Sequence, residues 1–505
     1  MELRRLVITG TSGFLGRHLL DAIKDRFEIF AIARRSQRES GAPVHPNIHW
    51  FQVDIGEREA LDAVFQEIAD SGGAELVLHL AAHYDFTGED HPEYWRTNVS
   101  GLRNMLECSA HLRVRGFLFA SSLAACNFPP PGGALTETSP PDGDHIYAKT
   151  KRIGEEMLRE YLNTVPSVII RFGAMFSDWC EYAPQFVFMN TWLTRVWNAR
   201  ILGGKGQSAI PYLHVRDAVA FIIRLFDRYP IMKPCEILLA SNSGSVTHAQ
   251  LFEAATSTYF GREVKPIFMP KLLSRIGLYG MDWLGRTLGQ RPFERPWMGK
   301  YIDLQLTADC SHTYERLGWT PNPRLDILRR MPFLIEHLKT DPLEWTRRNR
   351  AAMKEPHLRP NLRVYRLLER HEPEILEALQ SNLRGQDAPR WFVGHRRFSP
   401  EDIAWFLRQV LRHLISAVRV RDKTLFMAHC RDLAERRFNQ GFTAQEVCDA
   451  LATIGKTCVH ILSQDPEAKD LDQALRDCIT MTVNLGIDEV QDVYEIRGGR
   501  GYECR

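Results

Sequence analysis

From Leu3 to about Val219 the chain alternates between short apolar runs and longer stretches with helical periodicity. The apolar runs are Leu6–Thr9, Ile29–Ala33, His49–Val53, Leu76–Leu80, Gly116–Ala120 and Ser167–Arg171. Short strands that alternate with helices are typical of βαβ units, whose strands lie parallel in one sheet. The pattern therefore predicts an α/β fold built on a doubly wound parallel sheet.

The regular alternation loosens after Ile201 into loops, helices and short strands such as Glu236–Ala240. We interpret this part as a smaller lobe that covers a substrate, formed mainly by residues 175–210 and 235–340 of a first domain, 1–345. Residues 346–360 are charged and contain two prolines, which is typical of a linker.

Beyond this linker, residues 361–495 predict an all-α domain. Ser399, followed by Pro400 and two acids, fits a helix N-terminus. The helix it begins has one apolar face, formed by Ile403, Phe406, Val410, Leu414 and Val418. Thr443 and Glu446 form the pattern of a capping box for another helix, and Gly441 fits the end of the helix before it. A further helix is predicted over Leu471–Val493.

The most informative motif lies where the first apolar run ends. Three glycines follow it with the spacing G-x-x-G-x-x-G, and a helical pattern begins at once. Gly10 permits a tight turn, Gly13 lets the backbone approach a pyrophosphate, and Gly16 lets the helix pack on the sheet. The motif predicts a dinucleotide site made by Gly10, Thr11, Ser12, Gly13, Phe14, Leu15 and Gly16.

Two further positions carry the residue types that acid–base chemistry needs. Tyr147 and Lys151 are four residues apart, so they lie one above the other on a helix face. A lysine ammonium favours the phenolate and brings the tyrosine pKa closer to neutral pH. Ser122 follows the fifth apolar run, at the sheet edge where ligands of parallel sheets bind, and its hydroxyl could hold a substrate oxygen.

Together these motifs resemble the extended short-chain dehydrogenase/reductase family, which includes the NAD-dependent epimerases and dehydratases, over about residues 1–340. Further segments that carry the resemblance are Asp54-Ile55, Leu80-Ala81-Ala82, Asn98-Val99-Ser100-Gly101, His214-Val215-Arg216-Asp217 and Leu317-Gly318-Trp319-Thr320-Pro321. The resemblance implies a Rossmann fold in which Tyr147 is the general acid/base. It also implies that Lys151 lowers the tyrosine pKa and binds the nicotinamide ribose, while Ser122 orients the substrate.

The same resemblance implies that Asp54 and Ile55 flank the adenine and that Leu80, Ala81 and Ala82 line the cofactor. The second apolar run ends in Arg34 and Arg35, with no acid at the turn. An acid there would repel a 2′-phosphate, whereas guanidinium groups bind one. We therefore expect NADP(H) to be favoured over NAD(H).

Departures from the family pattern narrow the expected reaction. Ser122 is followed by Leu123-Ala124, where sugar-nucleotide dehydratases carry Asp-Glu, so dehydration is not expected. Ala125-Cys126-Asn127 stands where sugar-nucleotide epimerases usually carry Val-Tyr-Gly. The aromatic residues of the later lobe resemble those of the sterol-dehydrogenase and flavonol-reductase branches; they are Phe186, Phe188, Trp192, Trp197, Phe268, Trp283 and Trp297.

The expected function is that of an NAD(P)(H)-dependent oxidoreductase acting on a carbonyl or secondary alcohol of a mainly apolar small molecule. Two alternatives stay open. One is a sugar epimerase that uses its bound cofactor transiently. The other is a redox-sensing regulator, in which the first domain reports NADP(H) occupancy to the helical domain.

Composition bounds the partners and the compartment. The 505 residues carry a net charge of +2, which gives no argument for nucleic acid. The ten cysteines include no C-x-x-C pair, so we expect no metal site, and reduced thiols in a cytoplasmic protein. Neither a signal peptide nor a membrane span is expected. Leu272–Leu288 is apolar with interleaved arginines, and we interpret it as a helix lining an apolar pocket rather than one lying on a membrane surface.

The helical domain carries a second, weaker resemblance. The phrase Arg436-Arg437-Phe438-x-Gln440-Gly441-Phe442-Thr443-x-x-Glu446-Val447 resembles the globin-like helical sensor domains of stressosome and histidine-kinase proteins, over about residues 390–495. Such domains mostly mediate association, which implies a regulatory module that binds a protein partner or a second copy. No haem is assigned, because His413, His429 and His460 are better explained as surface or core histidines than as haem ligands.

Overall fold

The structure is a computed structural model that describes residues 3–194, 196–288, 291–350, 360–384, 399–420, 422–465, 468 and 471–499. The chain divides into two compact units, Met1–His357 and Leu358–Arg505. Residues 346–350, which the sequence placed in a linker, form the second half of a helix, Pro342–Arg350. The rest of the predicted linker, up to residue 359, lies outside the described residues.

The first unit is built on a seven-stranded sheet. Its strands are β1 Arg4–Thr9, β2 Phe27–Ala33, β3 Ile48–Gln52, β4 Leu76–His79, β5 Gly116–Ser122, β6 Ser167–Phe172 and β7 Glu236–Ala240. They lie in the order β7-β6-β5-β4-β1-β2-β3, and every pairing is parallel. The predicted doubly wound sheet is confirmed. The sequence assigned Glu236–Ala240 to the smaller lobe, but the strand pairs with β6 and extends the main sheet.

Twelve α-helices are described in this unit. They are α1 Phe14–Ile23, α2 Gln37–Ser40, α3 Arg58–Asp70, α4 Gly101–Leu112, α5 Ile146–Glu160, α6 Ala183–Trp192, α7 Val215–Arg228, α8 His248–Phe260, α9 Lys271–Thr287, α10 Ser311–Leu317, α11 Ile327–Thr340 and α12 Pro342–Arg350. Short strands form two-stranded pairs outside the main sheet, among them Ile201–Gly203 with Ile267–Met269.

The two faces of the sheet are covered by different helices. Along β1, Leu6 and Ile8 point into a core shared with α1 and α7, whereas Val7 points into a core shared with α3, α4 and α5. Period-two alternation within a strand thus supplies both cores, as expected for a sheet buried on both faces. The strand order reverses between β1 and β4, and the carboxyl ends of these strands open the crevice in which doubly wound folds bind their ligands.

The described residues of the second unit form helices joined by short turns, with no strand among them. Its helices are α13 Pro360–Arg370, α14 Glu372–Arg384, α15 Pro400–Val420, α16 Thr424–Asn439, α17 Ala444–Gln464, α18 Asp472–Leu475 and α19 Met481–Gly499, with a π-helical turn at Arg476–Thr480. The predicted starts at Ser399 and Thr443 are confirmed, since each hydroxyl accepts a hydrogen bond from the backbone N–H three residues on. The apolar face predicted for α15 is buried in the core of this unit.

Candidate active site

The glycine turn between β1 and α1 is folded as its spacing predicts. Gly10 adopts a φ of +71°, a region that favours glycine, and its N–H donates to the Ile32 carbonyl over 3.0 Å. A Cβ on Gly10 would lie 2.7 Å from the Ala81 nitrogen, and a Cβ on Gly16 would lie 2.5 Å from the Gly10 carbonyl oxygen. The turn therefore packs against the end of β4 and against its own helix with no room for side chains.

Helix α1 begins directly behind this turn. Gly13 occupies the N-cap position, and no side chain of the described residues caps the helix there. The amides of the first turn and the positive end of the helix dipole therefore remain available to an anion. A pyrophosphate group fits this end of the sheet, so the residues suit the phosphate part of a dinucleotide.

Lys151 lies on α5 and reaches back to the neighbouring strand. Its Nζ donates to the Ala120 carbonyl over 2.6 Å and lies 5.6 Å from the centroid of the Tyr147 ring. Burial lowers the pKa of Lys151 to about 8, while the nearby Glu155 carboxylate opposes that shift. The i, i+4 spacing thus brings the ammonium beside the phenol ring, as predicted.

Tyr147 is enclosed by other rings. It stacks on Tyr84 with ring centroids 4.2 Å apart and an interplanar angle of 18°. Burial raises the pKa of Tyr147, which is opposite to the shift expected from Lys151. The sequence prediction considered only the lysine charge, and the aromatic enclosure that dominates here comes from segments distant in sequence. Tyr147 therefore holds its proton at neutral pH in this structure.

Ser122 ends β5 and begins a short 3₁₀ turn, Leu123–Ala125. Its hydroxyl oxygen accepts the Ala124 N–H over 3.1 Å, and the residue borders the same cavity as Tyr147. The Oγ lone pair that caps this turn is fixed, whereas its O–H is still able to donate to a ligand.

A cavity of about 980 Å³ connects these elements. Of the predicted site residues, it is lined by Gly10, Gly13, Phe14, Leu15, Gly16, Leu80, Ala82, Ser122, Tyr147 and Lys151. Thr11, Ser12, Arg34, Arg35, Asp54, Ile55 and Ala81 do not line it. The structure therefore brings the glycine turn and the Ser122, Tyr147 and Lys151 side chains together around one space.

The residues predicted near the adenosine lie beyond the cavity, at the carboxyl ends of β2 and β3. Arg34 donates to Glu93 over 2.9 Å and lies 3.9 Å from Asp54. Asp54 also accepts from Arg96 over 2.9 Å. Arg35 donates to the carbonyl of Ser12 in the glycine turn, and its side chain is exposed. Arg34 is thus paired with acids, while Arg35 is held at the glycine turn.

Much of the cavity wall is aromatic and was not assigned from the sequence. Tyr84, Phe86, Tyr182 and Phe293 line it, and ring contacts connect Phe86 to Tyr84, Tyr182 and Phe293. Of the lobe aromatics singled out in the sequence, Phe188, Trp192, Trp197 and Trp297 line the cavity, whereas Phe186, Phe268 and Trp283 do not. These rings come from separate loops and helices, so no local pattern indicates that they meet.

Glu294 is a further lining residue that the sequence did not suggest. Its neighbours in sequence, Phe293 and Arg295, gave no motif. Burial in this apolar surrounding raises the pKa of the Glu294 carboxyl. A carboxyl group with a raised pKa inside a cavity is able to donate a hydrogen bond as well as accept one.

The parallel sheet and the glycine turn define the first unit as a Rossmann-like domain. The model of the NAD dependent epimerase/dehydratase family matches residues 6–237. This match covers slightly less than half of the chain, and it confirms the resemblance seen in the sequence.

Relatives of known name carry different activities. The chain is 26% identical over 158 residues to a UDP-glucose 4-epimerase of Streptococcus mutans, covering 30% of this chain and 46% of the relative. It is 29% identical over 119 residues to a putative dihydroflavonol 4-reductase of Synechocystis, covering 23% of this chain and 32% of the relative. The matches thus span about half or less of these relatives.

The fold has neighbours among solved structures. A UDP-glucose 4-epimerase from Thermotoga maritima, solved with UDP-glucose, has a TM-score of 0.52 at 18% identity, over 66% of this chain and 98% of that chain. At this identity the likeness concerns the fold.

Proposed function

We propose that the protein is an NAD(P)(H)-dependent oxidoreductase that transfers hydride between nicotinamide and a carbonyl or secondary alcohol of a mainly apolar small molecule. The observation that carries this proposal is the single cavity shared by the glycine turn, Tyr147, Lys151 and an aromatic wall. Its volume of about 980 Å³ lies within the range of small-molecule sites.

The side chains around Tyr147 suit proton transfer to a substrate oxygen. A bound nicotinamide cofactor supplies or accepts the hydride. Tyr147 holds its proton at neutral pH because burial raises its pKa, so it serves as the acid in carbonyl reduction. Lys151 is charged below about pH 8 and stabilises the phenolate that remains after proton transfer. The Ser122 O–H donates to the same substrate oxygen and orients it.

The charge of the cavity wall favours an apolar substrate over a nucleotide sugar. Among the described residues that line it, Lys151 is the only lysine or arginine. A diphosphate is usually held by guanidinium or ammonium groups, which form short charge-assisted hydrogen bonds. Lys151 lies beside Tyr147, where it is needed for the reaction itself. Most of the remaining wall offers rings and aliphatic carbons, which suit a ring system or an acyl chain.

We further propose that NADP(H) is preferred and that Arg35 is its main contact. Arg34 is already paired with Glu93, so a 2′-phosphate would have to compete with that carboxylate. Among the described residues, Arg35 gives one hydrogen bond, to the neutral carbonyl of Ser12, and its exposed guanidinium keeps other donors for a phosphate.

A sugar epimerase is the second candidate. The family match and the Streptococcus mutans relative favour it, and Tyr147 would serve equally well in the transient oxidation that epimerisation requires. The two functions differ in cofactor turnover, because an epimerase returns its nicotinamide to the starting state.

The test is therefore net cofactor consumption by the full chain. The protein is mixed with NADPH or NADH and a panel of apolar ketones, and separately with UDP-glucose. Oxidation of the nicotinamide by a ketone, with UDP-glucose unchanged, is the expected result. Conversion of UDP-glucose to UDP-galactose without net change in the nicotinamide would overturn the oxidoreductase proposal in favour of the epimerase.

A further inference from the structure

Helix α9 exposes an apolar stripe to solvent along most of its length. Leu272, Ile276, Tyr279 and Trp283 follow the spacing i, i+4, i+7, i+11 and lie on one face. They are 69%, 60%, 65% and 68% exposed, and Leu273 and Leu284 beside them are also exposed. Monomeric proteins rarely leave so continuous an apolar row in water, so the stripe indicates a surface that something covers.

The exposed area continues past the helix. Ile267 and Phe268, in the short strand directly before α9, are exposed, and so is Trp197, which precedes the strand paired with them. We call this set the α9 surface: Trp197, Ile267, Phe268, Leu272, Leu273, Ile276, Tyr279, Trp283 and Leu284. Its aromatic members have an apolar body and a polar N–H or O–H edge, except Phe268. Such rings are typical of membrane interfaces.

The opposite side of the same helix belongs to the proposed substrate site. Ser274, Gly277, Leu278 and Met281 line the cavity, as does Trp197 of the α9 surface. The sequence suggested either a helix lining a pocket or one lying on a membrane. The structure shows that one face of α9 lines the cavity and that the opposite, apolar face is exposed. Only the thickness of this helix lies between the cavity and the partner that covers the α9 surface.

Charges on α9 indicate what covers it. Lys271, Arg275 and Arg286 flank the stripe, and Asp282 is the only acid on the helix. Asp282 is buried and bound by Arg286, Arg291 and Arg295, so its charge is neutralised inside the protein. Arg286 is paired with Asp282, whereas Lys271 and Arg275 have no acidic partner among the described residues, so the border of the stripe is cationic. A cationic border around an apolar face matches a bilayer with anionic headgroups, in which cations bind phosphates and apolar side chains enter the acyl region.

We propose that the α9 surface docks on an anionic lipid bilayer and that the cavity behind α9 takes its apolar substrate from that bilayer. The second part rests on the proposed function; the docking does not. No helix of the described ranges has the length and apolarity to cross a bilayer, so the contact is with the membrane surface. Apolar substrates partition strongly into lipid, and an enzyme that lies there meets them at high local concentration.

The test is flotation of the full chain with vesicles on a density gradient. One set contains phosphatidylcholine alone and the other phosphatidylcholine with about a third phosphatidylglycerol. We expect the protein to float with the anionic vesicles, and we expect high salt to release part of the bound protein from them. Ile276→Ser combined with Trp283→Ser should weaken binding by about tenfold or more, because both side chains lose buried apolar area in the lipid.

The matched control is Val44→Ser combined with Ile231→Ser, which removes two exposed apolar side chains elsewhere on the first unit. It should float as the wild type does. Failure of the wild type to float with anionic vesicles, or equal loss in both double variants, would overturn the docking proposal. So would light scattering that shows the Ile276/Trp283 variant splitting a dimer, because a second copy would then cover the α9 surface.

NAD(P)H binding is measured on the same samples. Binding retained in both double variants shows an intact first unit, so a change in flotation reports on the α9 surface alone. Flotation with no turnover of any apolar ketone would leave the docking in place and count against the proposed function. Turnover of water-dispersed ketones without flotation would support the proposed function and overturn the docking proposal.

Discussion

Arg171 of β6 and Glu155 of α5 form an ion pair with no solvent exposure on either side chain. The Arg171 Nε and Nη2 donate to the two carboxylate oxygens of Glu155 over 3.0 and 2.8 Å. Ser121 of β5 donates to the same carboxylate over 2.7 Å. Glu155 is one helical turn beyond Lys151, so the pair fixes α5, and with it Tyr147 and Lys151, on the edge of β5 and β6.

Removing the Glu155 charge should therefore be costly. Glu155→Gln leaves a buried guanidinium without its counter-charge, and we expect a loss of about 3–5 kcal/mol in the free energy of unfolding. Urea unfolding followed by tryptophan fluorescence reports on the first unit, which holds nine of the eleven tryptophans. Glu156→Gln is the control, because Glu156 is exposed and should change stability by less than about 0.5 kcal/mol. Equal losses of stability in Glu155→Gln and Glu156→Gln would show that the Arg171–Glu155 ion pair does not hold α5 in place.

The pH profile of carbonyl reduction should reflect Lys151. Burial lowers its pKa to about 8, so the cation is present below that pH and is lost as the pH rises through it. We expect kcat/KM to fall about tenfold per pH unit above about 8. Lys151→Arg stays charged over the whole range and should lack this alkaline limb, at lower overall activity. If kcat/KM of Lys151→Arg falls above about pH 8 as in the wild type, the fall belongs to the titration of another group.

Cofactor choice should respond unequally to the two arginines at the end of β2. Arg35→Ala should weaken NADPH binding by about tenfold and leave NADH binding nearly unchanged, because only NADPH carries a 2′-phosphate for a guanidinium to bind. Arg34→Ala should have a smaller effect, since Arg34 already pairs with Glu93. Titration of nicotinamide fluorescence measures both affinities. The nearby exposed Arg38 supplies the control, as Arg38→Ala. Tighter binding of NADH than NADPH by the wild type would contradict the proposed preference.

The packing of the glycine turn predicts a clear contrast between two glycines in helices. A Cβ at Gly16 would lie 2.5 Å from the Gly10 carbonyl oxygen. Gly16→Ala should therefore displace the turn and weaken the binding of the nicotinamide cofactor by about tenfold. At Gly280 of α9 no atom lies within 4 Å of the added Cβ. Gly280→Ala should keep cofactor affinity and raise stability by about 0.5–1 kcal/mol, measured by thermal unfolding. Unchanged affinity in Gly16→Ala would contradict the role given to the turn.

The sheet was predictable because each strand is a short apolar run bounded by polar residues, which is a local signal. Strand β7 has the same signal, but its place beside β6 depends on a long excursion of the chain between them. Tyr147 and Lys151 were found because helical spacing brings them together. The Tyr84 ring that stacks on Tyr147 and the Glu294 carboxyl lie on distant loops, and only the folded chain places them there. The sign of the Tyr147 pKa shift was wrong for the same reason.

The most direct test of the account is a single-turnover comparison of Tyr147→Phe with Tyr182→Phe. Both changes remove a buried hydroxyl from the wall of one cavity. With bound NADPH and an apolar ketone that the wild type reduces, Tyr147→Phe should slow hydride transfer by about 10²–10⁴-fold and keep cofactor affinity, because only the proton donor is lost. Tyr182→Phe should stay within about tenfold of the wild type. Equal rates in Tyr147→Phe and the wild type would contradict the role of Tyr147 as the acid.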